Sequence, residues 1–464
     1  MRVLITGATG FIGKPLCKAL ALKGHELIVV TRDSEKARRE IPAPHLAMDW
    51  EFLKVHQSNP ISKLSSPFSS IDAVIHLAGE SLVGKRWSPT FKQKLYESRI
   101  QSTQKLCEWL QKTSSSKPKV FISTSAIGIY GDRLNEVLDE SSLLGTGFLA
   151  HLCQDWEKAL FESDLPETRK IVLRMGVVLG KGGGVLEKMV PSFSLGFGAA
   201  LGSGKQWVSW IHLDDCVGLI LECLENQALS GPVLACAPKP VTQMVLSRTL
   251  AQKFHSFGFF RVPKSCLRVA LGEVSQVLVS SQRGFSSKLK KTQFHFQYPD
   301  LDSALDQILG QSVALGYSEF ISQCWTPQPL DEVFRFFSEA RNLEKMTPPW
   351  LNFKILFQST PKIEKGTKIH YRIKIHGISV HWYTEIREWS PPYSFVDIQS
   401  KGPYQVWEHT HRFSNLKGGT LIEDQVFYKI PMAWLGRVIA GPFVRKDIAK
   451  IFSYRSDQII KGLV

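Results

Sequence analysis

Three glycines spaced by three, Gly7, Gly10 and Gly13, follow directly on the apolar, β-branched run Arg2–Thr6 and precede an amphipathic stretch at 14–23. Strand, glycine turn and helix N-terminus in that order make a diphosphate cradle. Glycine allows a tight turn and a close backbone approach, and the unpaired N–H groups of a first helical turn face negative charge. The strand before and the helix after give the pattern its specificity. A second strand, Glu26–Thr31, closes a βαβ unit, and the residue just past it selects the dinucleotide. An acid there hydrogen-bonds the ribose 2′-OH of NAD, whereas an arginine accommodates the 2′-phosphate of NADP. Thr31 and Arg32 come first and Asp33 one place later, which predicts NADP(H).

The next candidates lie at strand ends. The run 71–78 finishes in Gly79-Glu80, and 120–124 leads into Ser125 and Tyr130. Both ends fall in the crevice where open α/β sheets bind ligands. Ser125, with Ser123 and Thr124 as alternatives, Tyr130 and Glu80 are the candidate catalytic groups. Tyr130 reads equally as a packed aromatic, and Glu80 as a helix cap or an ion pair with Arg86 or Arg99. Arg174, a charge inside the strand expected at 171–179, must face the crevice or pair with an acid. Arg174 and Lys205 are candidates for gripping an anionic substrate. Trp207 and His212 complete the substrate set, although Trp207 also reads as a seal and His212 more readily as a structural hydrogen-bonding group.

Elements able to position these groups require a long chain. At 464 residues, 43% of them hydrophobic, two or three domains are expected. No apolar run is long enough to cross a bilayer, and a first strand beginning at residue 2 leaves no room for a leader peptide. Eight cysteines without CxxC spacing suggest neither zinc nor disulfides and fit a reducing cytoplasm. The net charge of +15 is spread along the chain rather than clustered, so no nucleic-acid partner is expected.

With these residues in place, the chain resembles the extended short-chain dehydrogenase/reductase superfamily, and more narrowly its atypical epimerase-like branch. The runs that carry the resemblance are GATGFIG, HLAGESLVGKRW, ESRIQST, SAIGIYGDR, FLAHLCQDWE, LRMGVVLGKGGG, LGSGKQWVSWIHLDD and FHFQYPDLDSAL, in order over residues 1–308. The resemblance implies a doubly wound Rossmann sheet, NADP(H) across its strand ends, a small substrate lobe and a closing module around 262–305. It also places Phe11 and Ile12, then Leu77, Ala78 and Gly79, and Arg99, among the cofactor contacts.

One feature of that superfamily is missing. Its chemistry uses a tyrosine and a lysine four residues on, the lysine and the cofactor's charge lowering the tyrosine pKa. None of the ten tyrosines here has lysine four places on. Aligning FLAHLCQDWE on Glu157 puts Leu149 and Cys153 in the two places.

After residue 308 a linker is expected at 309–318. Beyond it come a strand (319–326), a helix (330–338), a turn at NLEKMTPPWLNF, strands at 368–376, 380–389, 395–400, 406–413 and 420–430, and a final helix at 434–461. Hairpins with segregated helices mean an α+β domain. Residues 319–464 resemble the START-like, polyketide cyclase/dehydrase-like helix-grip superfamily, through FRFFSEARNLEKMTPPWLNF, GPYQVWEHTHRF and GGTLIEDQVFYKIP. The resemblance implies an apolar cavity for a hydrophobic ligand, to which Trp350, Tyr371, Trp382, Trp407, His409, His411 and Tyr428 are assigned. His409 and His411 face one way on one strand, but two histidines without a third ligand predict no metal.

The expected protein is therefore an NADP(H)-dependent epimerase- or oxidoreductase-like enzyme acting on a small molecule, with a C-terminal hydrophobic-ligand domain. A non-catalytic NADP-responsive binding protein and a lipid carrier are the alternatives.

Overall fold

Seven short runs, most of them rich in Val, Ile, Leu and Phe, form β1 (Arg2–Thr6), β2 (Glu26–Thr31), β3 (Leu46–Asp49), β4 (Ala73–His76), β5 (Val120–Ala126), β6 (Arg169–Met175) and β7 (Gly231–Ala235). A computed structural model describes residues 1–51, 70–113, 117–256, 260–314, 316–431, 436 and 440–462. The strands pair all-parallel in the order β7-β6-β5-β4-β1-β2-β3. Helices include α1 (Gly13–Leu22), α2 (Ser34–Glu40), α3 (Pro89–Tyr96), α4 (Ser102–Thr113), α5 (Phe148–Phe161) and α6 (Leu213–Glu225). Central strands buried on both faces explain the unbroken apolar runs: Val3, Leu4, Ile5, Ala73, Val74, Ile75, Phe121 and Ile122 are fully enclosed. Strand order reverses between β1 and β4, so the ligand crevice opens at their carboxyl ends.

The strand expected at 171–179 is broken. β6 ends at Met175, and Val177–Leu179 leaves the main sheet to pair with Trp210–His212. Gly176 makes the departure possible, because a Cβ there would lie 2.7 Å from the Ser209 carbonyl oxygen.

At the end of β4, His76 is buried between Thr6 Oγ1 (2.7 Å from Nδ1) and Ser102 Oγ (3.3 Å from Nε2). Burial lowers its pKa from 6.5 to about 4. The folded state thus binds fewer protons than the unfolded state between those values. The stability linked to His76 is complete above about pH 6.5 and is lost as pH falls toward 4, by roughly 3 kcal/mol at most. Urea unfolding at pH 7 and pH 4.5 should show a loss in the wild type that is smaller in His76→Asn. Equal losses would refute the linkage.

The chain divides into two units, one of residues 1–20, 25–34 and 46–310, the other of 21–24, 35–45 and 311–464. The division after 310 coincides with a break at Gly310 (φ 60°, ψ −173°) inside the helical segment Leu301–Ala314.

The C-terminal part holds β8 (Ser318–Thr326), α7 (Leu330–Phe337), β9 (Lys354–Gln358), β10 (Lys368–Ile375), β11 (Ile378–Ser390), β12 (Ser394–Lys401), β13 (Val406–Leu416), β14 (Gly419–Lys429) and α8 (Gly441–Lys461). The seven strands form one antiparallel sheet in the order β8-β14-β13-β12-β11-β10-β9. Ile448, Phe452 and Ile459 of α8 are buried within its core clusters. β9 begins directly after the expected turn, which ends at Phe353. It is a mostly exposed edge strand with an irregular register between Ile355 and Phe357, so it lacks the alternation that marks a half-buried strand. The expected start of the last helix, from 434, lies outside the described residues except for 436.

Candidate functional site

The glycine turn is built as its spacing requires. Gly7 takes φ +72°, and a Cβ on it would lie 2.7 Å from the Leu77 carbonyl. The Gly10 amide donates to the Gly7 carbonyl at 2.9 Å. A Cβ on Gly13 would come within 2.3 Å of that same oxygen, so α1 leaves the turn with no space for a side chain. Ile12 is half-buried beside Phe11. The Phe11 ring is wedged into a second glycine cluster, where a Cβ on Gly180, Gly183 or Gly184 would sit 3.0, 2.5 or 3.0 Å from it.

Arg32 follows β2 with 85% of its side chain exposed, and its Nη1 is 3.7 Å from Glu80 Oε2. Because β1 lies between β2 and β4, this pair reaches across the end of β1. Glu80 had been expected to pair with Arg86 or Arg99. Arg86 instead donates to the carbonyls of Val269 and Ala270, and Arg99 meets only the Glu80 carbonyl, at 2.9 Å. Thr31 turns its hydroxyl to the Asp33 backbone. The Leu77 amide donates to the Thr6 carbonyl and the Ala78 amide to Thr6 Oγ1. Gly79 lies against the Arg99 guanidinium.

Arg99 occupies a π-helical turn, Glu97–Gln101, between α3 and α4. It is only 8% exposed and packs over the Trp156 ring at 5.2 Å. Among the described residues no carboxylate forms an ion pair with it. Burial lowers its pKa, with Cys153 and Glu80 partly opposing. Cys153 on α5, the place where the superfamily has lysine, is a buried thiol that burial pushes up to about 11. Leu149, in the tyrosine place, packs in the cluster of Trp87 and Trp156.

The three hydroxyls of β5 are now distinguished. Ser123 donates to the Thr124 carbonyl and Thr124 to the His76 carbonyl. Ser125 Oγ is buried with no oxygen or nitrogen partner among the described residues, beside the Cys153 sulfur. An orphaned hydroxyl at a crevice-facing strand end fits a group that arrives with a ligand.

Tyr130 and Arg174 belong to a different set of contacts. The Tyr130 hydroxyl donates to the Asp139 carbonyl at 2.8 Å and accepts from Arg174 Nη1 at 2.6 Å. Burial pushes its pKa up to about 12, against the lowering effect of Arg174. Arg174 pairs with an acid, gripping both oxygens of Glu157 at 2.9 and 2.8 Å, and also donates to the Glu140 carbonyl. Burial opposes its charge, yet Glu157 and Tyr130 raise its pKa above the ordinary value. Four of the five N–H groups of this guanidinium are thus engaged within the protein, and the contacts of Tyr130 and Arg174 are those of a packed aromatic and of a charge paired with an acid.

His212 is likewise committed. It caps α6 by accepting from the Asp214 amide, meets Gln307 Oε1 at 3.0 Å, and lies 4.0 Å from the Tyr298 ring, centroid to centroid. Burial lowers its pKa, so it caps as a neutral ring. Trp207 donates to Asn135 Oδ1 and is covered by Arg283 at 4.3 Å. Lys205 stands exposed after the Gly202–Gly204 turn.

In the C-terminal domain a cavity of about 1230 Å³ is lined by aromatic and aliphatic side chains, among them Trp350, Tyr371, Trp382 and Trp407, with His409 and His411 on one wall. Tyr428, expected there, is instead buried beside Val426 and Phe452. The lining also includes the polar groups Asp397 and Arg455, which the sequence reading did not reach; Asp397 stands opposite His409 by strand register, which no spacing in the sequence carries.

Comparisons with known proteins follow the same division. Residues 3–235 match the NAD dependent epimerase/dehydratase family, 262–308 a domain of unknown function (DUF1731), and 326–451 the polyketide cyclase / dehydrase and lipid transport family. The chloroplastic epimerase family protein SDR39U1 homolog of Arabidopsis thaliana is 35% identical over 310 residues, covering 67% of this chain and 87% of that one. Epimerase family protein YfhF of Bacillus subtilis is 33% identical over 310 residues, 67% of this chain and 98% of its own. The crystal structure of human epimerase family protein SDR39U1 (isoform 2) with NADPH aligns at a TM-score of 0.59 and 31% identity, over 66% of this chain and 99% of that one. A UDP-glucuronic acid 4-epimerase from Bacillus cereus, crystallised with UDP-glucuronic acid and NAD, shares the fold at 17% identity and a TM-score of 0.52, over 66% of this chain and 98% of that one.

Proposed function

We propose, from the premise that the chain belongs to the NAD dependent epimerase/dehydratase family, that its N-terminal part, residues 1–308, binds NADP(H) and acts on a small molecule as an epimerase or oxidoreductase. Residues 319–464, whose family is that of polyketide cyclases and lipid transport proteins, would receive a hydrophobic ligand. The observation that carries the cofactor assignment is the exposed Arg32 past β2, beside a glycine turn that admits no Cβ. The relative crystallised with NADPH supports the same choice.

In this reading Gly7, Gly10, Phe11, Ile12 and Gly13 hold the diphosphate. Thr31 and Arg32 hold the phosphorylated ribose, Arg32 exchanging Glu80 for phosphate, and Leu77, Ala78 and Gly79 flank the bound chain. NADP(H), when bound, supplies or accepts a hydride. Ser125 offers its orphaned hydroxyl to a substrate oxygen. Arg99, a buried cation with no acid paired to it among the described residues, supplies the positive charge that Cys153 cannot. Glu80 is the carboxylate available for proton transfer, and Lys205 and Trp207 lie on the substrate lobe.

Fluorescence titration should show NADPH binding more tightly than NADH. Arg32→Ala should weaken NADPH by roughly 10- to 100-fold, the worth of a charge-assisted contact, and leave NADH unchanged. Equal affinities in the wild type would remove the NADP assignment. A second reading, a non-catalytic NADP-responsive protein, is favoured by Leu149 and Cys153, neither of which moves protons at neutral pH. Reproducible NADPH turnover on carbonyl or nucleotide-sugar substrates, sensitive to Ser125→Ala, would exclude it.

A further inference from the structure

His409 and His411 stand two apart on β13 and so share a face of the sheet. The expectation of no metal rested on the lack of a third ligand, and the register supplies one. Asp397 on β12 lies directly opposite His409, and Asp424 on β14 directly opposite His411. Asp397 Oδ2 is 3.1 Å from His411 Nε2 and 3.6 Å from His409 Nδ1. One donor atom from each of these three residues lies within 4.8 Å of the others. On the opposite side of the rings, Asp424 Oδ1 is 2.9 Å from His409 Nε2 and 2.8 Å from His411 Nδ1. Arg455 Nη1 is 3.5 Å from that same oxygen. Asp397, His409 and His411 line the apolar cavity, whereas Asp424 is buried behind them.

We propose that Asp397, His409 and His411 form a binding site for a divalent transition-metal ion of the Zn²⁺ class, with its remaining coordination position open to the cavity. Two imidazoles and one carboxylate are the donor set of open zinc and iron(II) sites. A tetrahedral ion about 2.1 Å from its ligands needs them about 3.4 Å apart, and the two separations to Asp397, 3.1 and 3.6 Å, bracket that value. Metal-bound histidines characteristically present their second nitrogen to a carboxylate that fixes the ring. Asp424 does this for His409 by a hydrogen bond to Nε2, and its same oxygen lies 2.8 Å from His411 Nδ1 as an ion-pair contact without hydrogen-bond geometry. Arg455 offsets charge on Asp424 and leaves Asp397 as the carboxylate facing the cavity. The open position would take an oxygen of a hydrophobic guest and polarise it. Metal binding itself needs no guest and no dinucleotide, so its failure would leave the cofactor reading untouched.

The competing arrangement is a metal-free charge network in which Arg455 and one protonated histidine offset the two carboxylates. Full-length protein purified without a histidine tag, stripped with chelator and equilibrated with micromolar Zn²⁺, should retain about one ion per chain by elemental analysis. Asp397→Ala and His409→Gln should each remove it. Asp424→Asn should keep it about 10- to 100-fold more weakly, and Trp382→Phe should not affect it. Co²⁺ added to the wild type should give the intense visible bands of a four-coordinate ion, a readout that survives if a variant fails to fold. No retained ion, a six-coordinate Co²⁺ spectrum, or retention indifferent to Asp397 would overturn the site in favour of the charge network or of adventitious binding elsewhere.

Discussion

Replacing Gly13 by alanine should abolish measurable NADPH binding, lowering affinity by at least roughly two orders of magnitude, or about 3 kcal/mol. The new Cβ would stand 2.3 Å from the Gly7 carbonyl oxygen and 2.6 Å from the Ala8 Cα. Both are backbone atoms of the turn that faces the ligand, so neither yields as a flexible side chain would. Relief requires α1 to move off β1, which carries the first-turn N–H groups away from the diphosphate. The same methyl on Gly10 would meet the Gly7 oxygen at 3.0 Å and should cost less. On Gly128 it would meet nothing within 4 Å, at a φ open to any residue, and should cost nothing. Titration of NADPH into the three variants gives the order directly. Wild-type affinity in Gly13→Ala would show that the turn is merely a tight βα connection.

That prediction was accessible from the sequence because the information is local. Seven consecutive residues and their two flanking elements specify the turn, and no distant partner is needed to read them. The same holds for the βαβ unit and for Arg32, whose place relative to β2 is a matter of counting. His212 was also legible in principle: a residue before Leu213-Asp214-Asp215, with acids in the first helical turn, is where a cap belongs. Other roles depended on pairings that spacing does not carry. Choosing Ser125 over Ser123 and Thr124 required knowing which hydroxyls the backbone of β4 and β5 consumes. The third metal donor lay on a neighbouring strand, and only the register brings Asp397 opposite His409. Gly176 broke a continuous apolar run because Ser209 crosses beside it, a contact 33 residues away in sequence. Arg174 was the sharpest case. Its alternatives, crevice or acid, differ only in what α5 places beneath β6, and the acid there was already visible as the terminal residue of FLAHLCQDWE.

Arg174→Met should consequently be a stability variant, costing about 3–5 kcal/mol, a large share of a typical domain's total. Removing the guanidinium leaves the Glu157 carboxylate, 7% exposed, without its two charge-assisted bonds. It also strips a donor from the Tyr130 hydroxyl and from the Glu140 carbonyl. The Glu157 carboxylate and the Tyr130 hydroxyl are buried where water does not replace the lost partner, and the Glu140 carbonyl is partly so. Glu157→Leu should cost a similar amount, because it strands the cation instead. The double variant should lose less than either single one, since an apolar pair of comparable volume leaves no charge uncompensated. Urea unfolding of the four proteins measures that coupling. If Arg174 instead gripped an anionic substrate, Arg174→Met would keep wild-type stability and raise KM alone, and the coupling to Glu157 would vanish.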